Sequence, residues 1–200
     1  SDSKKSTDYF CKDDYYLNEE AIKEHQLLSE WYGKGAAELG LTGNIIAKDY
    51  QDILSGKIAS KNITLGKINS NGELDHAPGI DLTFQAPKSV SILSEVLEDK
   101  KIREIHNQSV NQILDYIEKN YIYTRVKINQ KTNLEQTQNI IAAKFLHNTN
   151  RNLEPHLHTH CLLANITKKD NGDYRSAWFK KIFDDKIHLG GLYRHILKEN

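Results

Sequence analysis

The run from Phe145 to Asn165 places four of the chain's nine histidines, His147, His156, His158 and His160, within fourteen residues and frames them with strand-forming sequence. Successive side chains of a strand point to opposite faces, so His158 and His160 share one face while Thr159 and Cys161 share the other. Upstream, Asn139 to His147 also reads as a strand, and the polar stretch from Asn148 to Pro155 can turn the chain so that His147 returns beside the second strand. Three neutral imidazoles brought together this way leave coordination positions open on a divalent ion, which is the pattern of a catalytic site rather than a closed structural one. His156 has the same parity and is a fourth candidate, although beside Pro155 at the strand entrance it can equally face solvent or a phosphate. A His-x-His pair alone is usually two satisfied or surface histidines, so the reading needs support from elsewhere in the chain.

Two hundred residues suit one large domain with a real core, or a piece of a longer chain. Ser1 begins the sequence, methionine is absent, and the helical pattern from Leu189 to Asn200 is cut before any cap, so residues 1–200 are expected to be a single domain and a fragment. No apolar run approaches the about 20 residues that span a bilayer, and the polar start lacks a signal-peptide core, so no membrane insertion and a cytoplasmic location are expected. Cys11 and Cys161 show neither a disulfide framework nor Cys-x-x-Cys spacing, and Cys161, alternating away from the histidines, is expected in the core. The zero net charge hides an asymmetry: residues 1–100 carry 11 Lys+Arg against 17 Asp+Glu, and residues 101–200 carry 16 against 10. A basic second half around the histidines suits a polyanionic substrate.

Along the chain, Glu19 to Leu39 reads as a helix ended by Gly40, and Lys48 to Leu54 as a short one closed by Gly56. Residues 57–79 read as a strand pair or loop leading to a strand from Gly79 to Phe84 that carries Asp81. Pro87 opens a helix, and Asp99 to Asn120 is a longer one whose buried stripe is Ile102, Ile105, Ile113 and Ile117. Tyr121 to Ile128 is a strand, and Asn171-Gly172 marks a later turn. Grouped strands with helices between them predict an α+β domain on a mainly antiparallel central sheet flanked by helices.

Four blocks, Asp13-Asp-Tyr-Tyr16, Trp31-Tyr-Gly-Lys-Gly-Ala-Ala-Glu-Leu-Gly-Leu-Thr-Gly43, Asp81-Leu-Thr-Phe-Gln-Ala-Pro-Lys-Ser-Val-Ser91 and the histidine segment, occur in an order and spacing that closely resemble the conjugative relaxases of the TrwC/TraI type. These are histidine-hydrophobe-histidine enzymes that nick and transfer DNA strands in plasmid conjugation. The resemblance runs from about Asp8 to Trp178, and the combination of the Asp81 to Ser91 run with Leu157-His-Thr-His160 is specific. It implies a relaxase palm, with metal ligands at His147, His158 and His160 and a non-ligand at His156.

The resemblance also implies a tyrosine nucleophile. Tyr9 matches the first tyrosine of the family's first pair, Tyr15 and Tyr16 match the second pair, and Phe10 departs from the usual tyrosine partner. Attack of the tyrosine oxygen on a phosphodiester of single-stranded plasmid DNA at a transfer origin gives a 5′-phosphotyrosine and a free 3′-hydroxyl, and religation reverses it. Asp81 would either hold the far nitrogen of a ligating histidine or accept the tyrosine proton. Lys88 and Arg151 are candidates for phosphate contact, against the alternative of ordinary solvated cations. One divalent cation is implied, such as manganese, magnesium, zinc or nickel, of which magnesium suits imidazole nitrogen least. The family further implies a bacterial cytoplasmic location with transfer into a recipient cell. Its expected partners are a C-terminal helicase in the full-length chain, accessory DNA-bending proteins, a coupling protein and a type IV secretion system. Competing readings are a rolling-circle replication initiator, a metallophosphodiesterase using water as nucleophile, and a non-catalytic DNA-binding module.

Overall fold

A computed structural model describes residues 26–72, 74–97 and 99–200. In chain order the elements are β1 (Gln26–Tyr32), α1 (Lys34–Glu38), α2 (Ala47–Leu54), β2 (Lys57–Ile58), β3 (Ile63–Thr64), β4 (Lys67–Ile68), β5 (Leu74–Asp75) and β6 (Gly79–Gln85). They continue with α3 (Lys88–Val96), α4 (Lys100–Tyr121), β7 (Tyr123–Ile128), β8 (Lys131–Gln136), β9 (Ala142–Thr149), β10 (Pro155–Ala164), β11 (Thr167–Lys168), β12 (Tyr174–Arg175), β13 (Ala177–Trp178), α5 (Lys180–Asp184) and α6 (Lys186–Glu199). The main sheet is antiparallel, in the order β1-β9-β10-β6, and a second one follows β13-β7-β8. The expected α+β class with a mainly antiparallel sheet is what the chain adopts.

Alternation along the central strands divides the core in two. On one face, Ala142, Cys161, Leu163 and Phe84 meet Val110, Ile113, Leu114 and Ile117 of α4 and Leu189 and Tyr193 of α6. On the other, Ala143, Phe145, Leu162 and Ala164 meet Trp31 and the Tyr50, Ile53 and Leu54 face of α2. Each fully buried aliphatic contributes about 1.5–3 kcal/mol, so packing rather than intrinsic propensity holds α4 in place. The stripe expected on α4 is correct at Ile113 and Ile117, whereas Ile102 and Ile105 are half-buried and His106, Ser109 and Val110 take the buried positions above them. Asp99 caps this helix, its side chain accepting from Lys101 N–H at 2.8 Å. Lys144 of β9 is buried under α4, where its ammonium donates to Glu30 at 2.7 Å, to Asn107 at 2.8 Å and to Asn111.

Two expectations need correction. The helix read from Glu19 to Leu39 is, over its described part, strand β1 followed by the single turn of α1. Trp31 turns to the α2 side while Leu28 and Tyr32 pack toward α4, and pairing with β9 from Ala142 to His147 outweighs the local helical spacing. Strand β8 was not anticipated, because it is an exposed edge with no apolar face, joined to β7 by Asn129 and Gln130 at φ 49° and 63°.

The Trp31 to Gly43 block is a packing device. Gly33 has φ 101°, and a Cβ there would stand 2.6 Å from the Ile140 carbonyl oxygen. A Cβ on Gly35 would meet the same oxygen at 2.6 Å. The two glycines let α1 press directly on the chain entering β9, with Ala36 N–H donating to Ile140 O at 3.3 Å. Gly33→Ala combines a disfavoured φ with a backbone clash and is expected to cost about 2–4 kcal/mol. A urea midpoint equal to that of the parent protein would show that this close approach does not matter.

Candidate functional site

Strand register assembles the site. His147 of β9 lies directly opposite His158 of β10, while His160 lies opposite Thr83 of β6. The same side of β6 carries Asp81, Thr83 and Gln85, two residues apart. Continuing down that face, Leu162 and Phe145 enter the apolar core, so the histidines form the polar end of an otherwise buried surface. The loop from Asn150 to Glu154 turns the hairpin with its own polar groups: Asn150 Oδ1 accepts from Asn152 N–H at 2.9 Å and Glu154 N–H at 3.0 Å.

The ring centres of His147, His158 and His160 form a triangle with sides of 5.3, 5.7 and 5.1 Å. A point equidistant from the three centres lies about 3 Å from each, close to where an ion bonded at about 2.0–2.1 Å to a ring nitrogen would sit. The rings are not yet turned to a common point. His147 and His158 are nearly parallel, at 20°, and among the described residues no group of three or more His, Cys, Asp or Glu side chains is closed to metal-holding distances.

The outer nitrogens are already engaged. His160 Nδ1 donates to Asp81 Oδ2 at 2.8 Å and lies 3.1 Å from Thr83 Oγ1, which places the basic lone pair on Nε2. His158 Nδ1 donates to the His156 carbonyl at 2.7 Å with the same effect. Burial pushes the His158 pKa down to about 4, so the ring is neutral near pH 7, as a ligand must be. Beneath the site, on the α4 side of the sheet, Thr159 is tied to His106 Nε2 at 2.8 Å, and His106 Nδ1 to the Tyr193 hydroxyl at 2.7 Å. All three side chains are buried.

The Asp81 to Ser91 block brackets the entrance of β10. Ala86 N–H donates to Leu157 O at 2.9 Å, and Ser91 Oγ accepts from Leu157 N–H at 3.0 Å. Lys88 Nζ donates to Pro155 O at 3.0 Å. Lys88 therefore reaches the site's rim, committed to the main chain, whereas Arg151 is exposed on the hairpin loop. His147, His158, His160 and Asp81 lie together on one face of the sheet, and Cys161 is buried in the core. Tyr9, Tyr15 and Tyr16, with Phe10, lie outside the described residues. Sequence reasoning missed Thr83 and Gln85, although period 2 from Asp81 marks both. It also missed His106, whose only signal is a histidine within an apolar helical stripe. Beside Asp81 a cleft of about 230 Å³ is lined by Thr83, Phe84, Ile182, Phe183 and Lys186.

A sheet-borne histidine cluster backed by a carboxylate, on a two-faced α+β core, is a candidate cation site. The TrwC relaxase family profile matches residues 3–200, and the chain belongs to that family. The multifunctional conjugation protein TraI of Escherichia coli strain K12 is 33% identical over 200 residues, covering 96% of this chain and 11% of TraI. The conjugative relaxase TrwC in a metal-free complex with oriT DNA superposes with a TM-score of 0.84 at 32% identity, over 98% of this chain and 66% of TrwC. The metal-bound TrwC complex with oriT DNA gives a TM-score of 0.79 at 33% identity, over 99% and 65%. The chain thus spans about a tenth of the length of TraI and about two thirds of the solved TrwC chains.

His106 also ties the fold to pH. Burial depresses its pKa to about 3, below the ordinary 6.5, so the unfolded chain takes up the proton first. The stabilisation is complete above about pH 6.5 and is lost as pH falls toward 3. Between pH 7 and pH 4.5 His106→Gln should lose less stability than the parent, by on the order of 2 kcal/mol. An unchanged slope in the variant would contradict a neutral buried His106.

Proposed function

We propose that the protein is a metal-dependent DNA relaxase that nicks single-stranded plasmid DNA at a transfer origin by tyrosine transesterification and religates it during conjugation. The observation that carries this reading is the triangle of His147, His158 and His160, with His160 oriented by Asp81 and Thr83, on the fold of a family whose solved member is bound to oriT DNA. The donor set fits one divalent cation: three imidazoles on adjacent strands, two with their Nδ1 protons taken up elsewhere, need ring rotation rather than backbone movement to converge. That TrwC is also known in a metal-bound form supports a cation for this chain. Manganese, zinc and nickel suit this set better than magnesium. When bound, the cation supplies positive charge against the nonbridging oxygens of a phosphodiester.

The protein's own groups do the rest. Asp81 keeps the proton of His160 on Nδ1 and so keeps Nε2 basic. Tyr9, by its match to the family's first tyrosine pair, supplies the nucleophile: its oxygen bonds to phosphorus, the bond from phosphorus to the 3′ oxygen breaks, and the phenolic proton replaces the lost bond on that 3′ oxygen, directly or through a base. Tyr15 or Tyr16 serves a second transfer, since Phe10 has no hydroxyl. Lys88 and Arg151 stand on the rim and hairpin, where a strand would pass. For the whole protein the reading extends to a helicase, DNA-bending and coupling proteins, a type IV secretion system and a bacterial cytoplasmic location.

Incubation with labelled single-stranded transfer-origin oligonucleotides should give a covalent adduct that survives denaturation, needs manganese, and is absent with chelator or in Tyr9→Phe. Cleavage without adduct would replace this reading with a water-nucleophile phosphodiesterase, and binding with neither would leave a DNA-binding module. Asp81→Asn should weaken metal binding about 10–100-fold by calorimetry while the protein stays folded. Unchanged affinity would remove Asp81 from the support of His160.

A further inference from the structure

Strand β10 does not enter the sheet regularly. Its ladder with β9 shifts register between Pro155 and His158, and such a shift leaves main-chain groups outside the ladder. The irregular stretch is nevertheless held closely, by Lys88 at the Pro155 carbonyl and by Ser91 and Ala86 at the two main-chain groups of Leu157. His156 sits between these anchors. Its carbonyl is turned to its own strand and accepts from His158 Nδ1 at 2.7 Å. Its imidazole lies on the His158 ring, with centres 4.5 Å apart and planes at 27°, and its Nε2 donates to Gln85 Oε1 on β6 at 2.9 Å. His147 also stacks on His158, 5.3 Å away at 20°. His158 thus stacks with both rings, and the His156 ring is pinned to a neighbouring strand.

At His158 and His160 it is Nδ1 that is taken up by an acceptor, which leaves Nε2 to a cation, whereas His156 spends its Nε2 on the Gln85 amide. We propose that His156, anchored by Gln85, is a positioning residue for His158. Its ring restricts the His158 plane, its carbonyl sets the tautomer that turns Nε2 toward the cation, and together they raise metal affinity without His156 touching the ion. This rests on the reading that His147, His158 and His160 hold the cation.

The test is calorimetric titration of the purified protein with manganese or nickel, alongside thermal unfolding of each metal-free variant. His156→Ala keeps the carbonyl but removes the stacked ring, and should weaken binding about 10-fold. His156→Phe keeps the stack and has no ligating nitrogen, so it should stay within about 3-fold of the parent. Gln85→Ala, which frees the ring while leaving His156 in place, should fall between them and carries the test if His156→Ala fails to fold. Equal losses in the Ala and Phe variants would make His156 a ligand and overturn the proposal, as would parent affinity in both His156→Ala and Gln85→Ala. Folded parent protein that binds neither metal would instead bring down the three-histidine reading itself, so the two failures are distinguishable.

Discussion

The antiparallel register of β6, β10 and β9 is the constraint on which the site depends. His158 is paired at once with His147 on one side and Gln85 on the other, and His160 with Phe145 and Thr83. No loop has to be ordered for these side chains to meet, because the ladder hydrogen bonds that hold the sheet also set the distances between the rings. Asp81, opposite Leu162, sits one pair further along the same face and reaches diagonally to His160. A cluster built this way takes its rigidity from the core: Leu162 and Phe145, its neighbours on the strands, are buried on the α2 side.

The reverse face of the same strands carries buried polar groups that are satisfied within the protein. Thr159, between the two histidines of β10, ends a chain through His106 to Tyr193 that joins β10, α4 and α6. Lys144, three residues before His147, is held by Glu30, Asn107 and Asn111. A buried ammonium with one partner removed is destabilising by about 3–5 kcal/mol, so such groups permit few alternative packings of α4 on the sheet. The helix that covers the site from behind is therefore placed by specific polar contacts as well as by its aliphatic stripe.

Much of this was legible from periodicity. The alternation in His158-Thr-His160 assigned Cys161 to the core, the run from Gly79 announced β6, and Asn171-Gly172 marked the turn between β11 and β12. What periodicity alone did not yield was the partner of each strand. Leu28 to Tyr32 carries apolar residues on both faces because it pairs with β9 and packs on two sides, a pattern that reads equally well as a helix. The solvent-exposed β8 carries no amphipathic signal at all. The support of His160 by Thr83 and of His158 by the His156 carbonyl depends on strand order and on a break in the ladder, which are tertiary facts.

The hairpin loop and the strand behind it have opposite tolerance for changes in length. Asn150 to Glu154 closes on itself through Asn150, so residues added at its exposed tip would leave the paired strands where they are. One residue inserted between Leu157 and Leu162 would reverse the parity of everything on one side of it. Either the imidazoles would be driven under α4 or Thr159 and Cys161 would be turned to the α2 side, where the histidines now lie. Drift in chain length can therefore accumulate in one part of this hairpin and is barred from another a few residues away, where a single-codon indel dismantles the site and the core together.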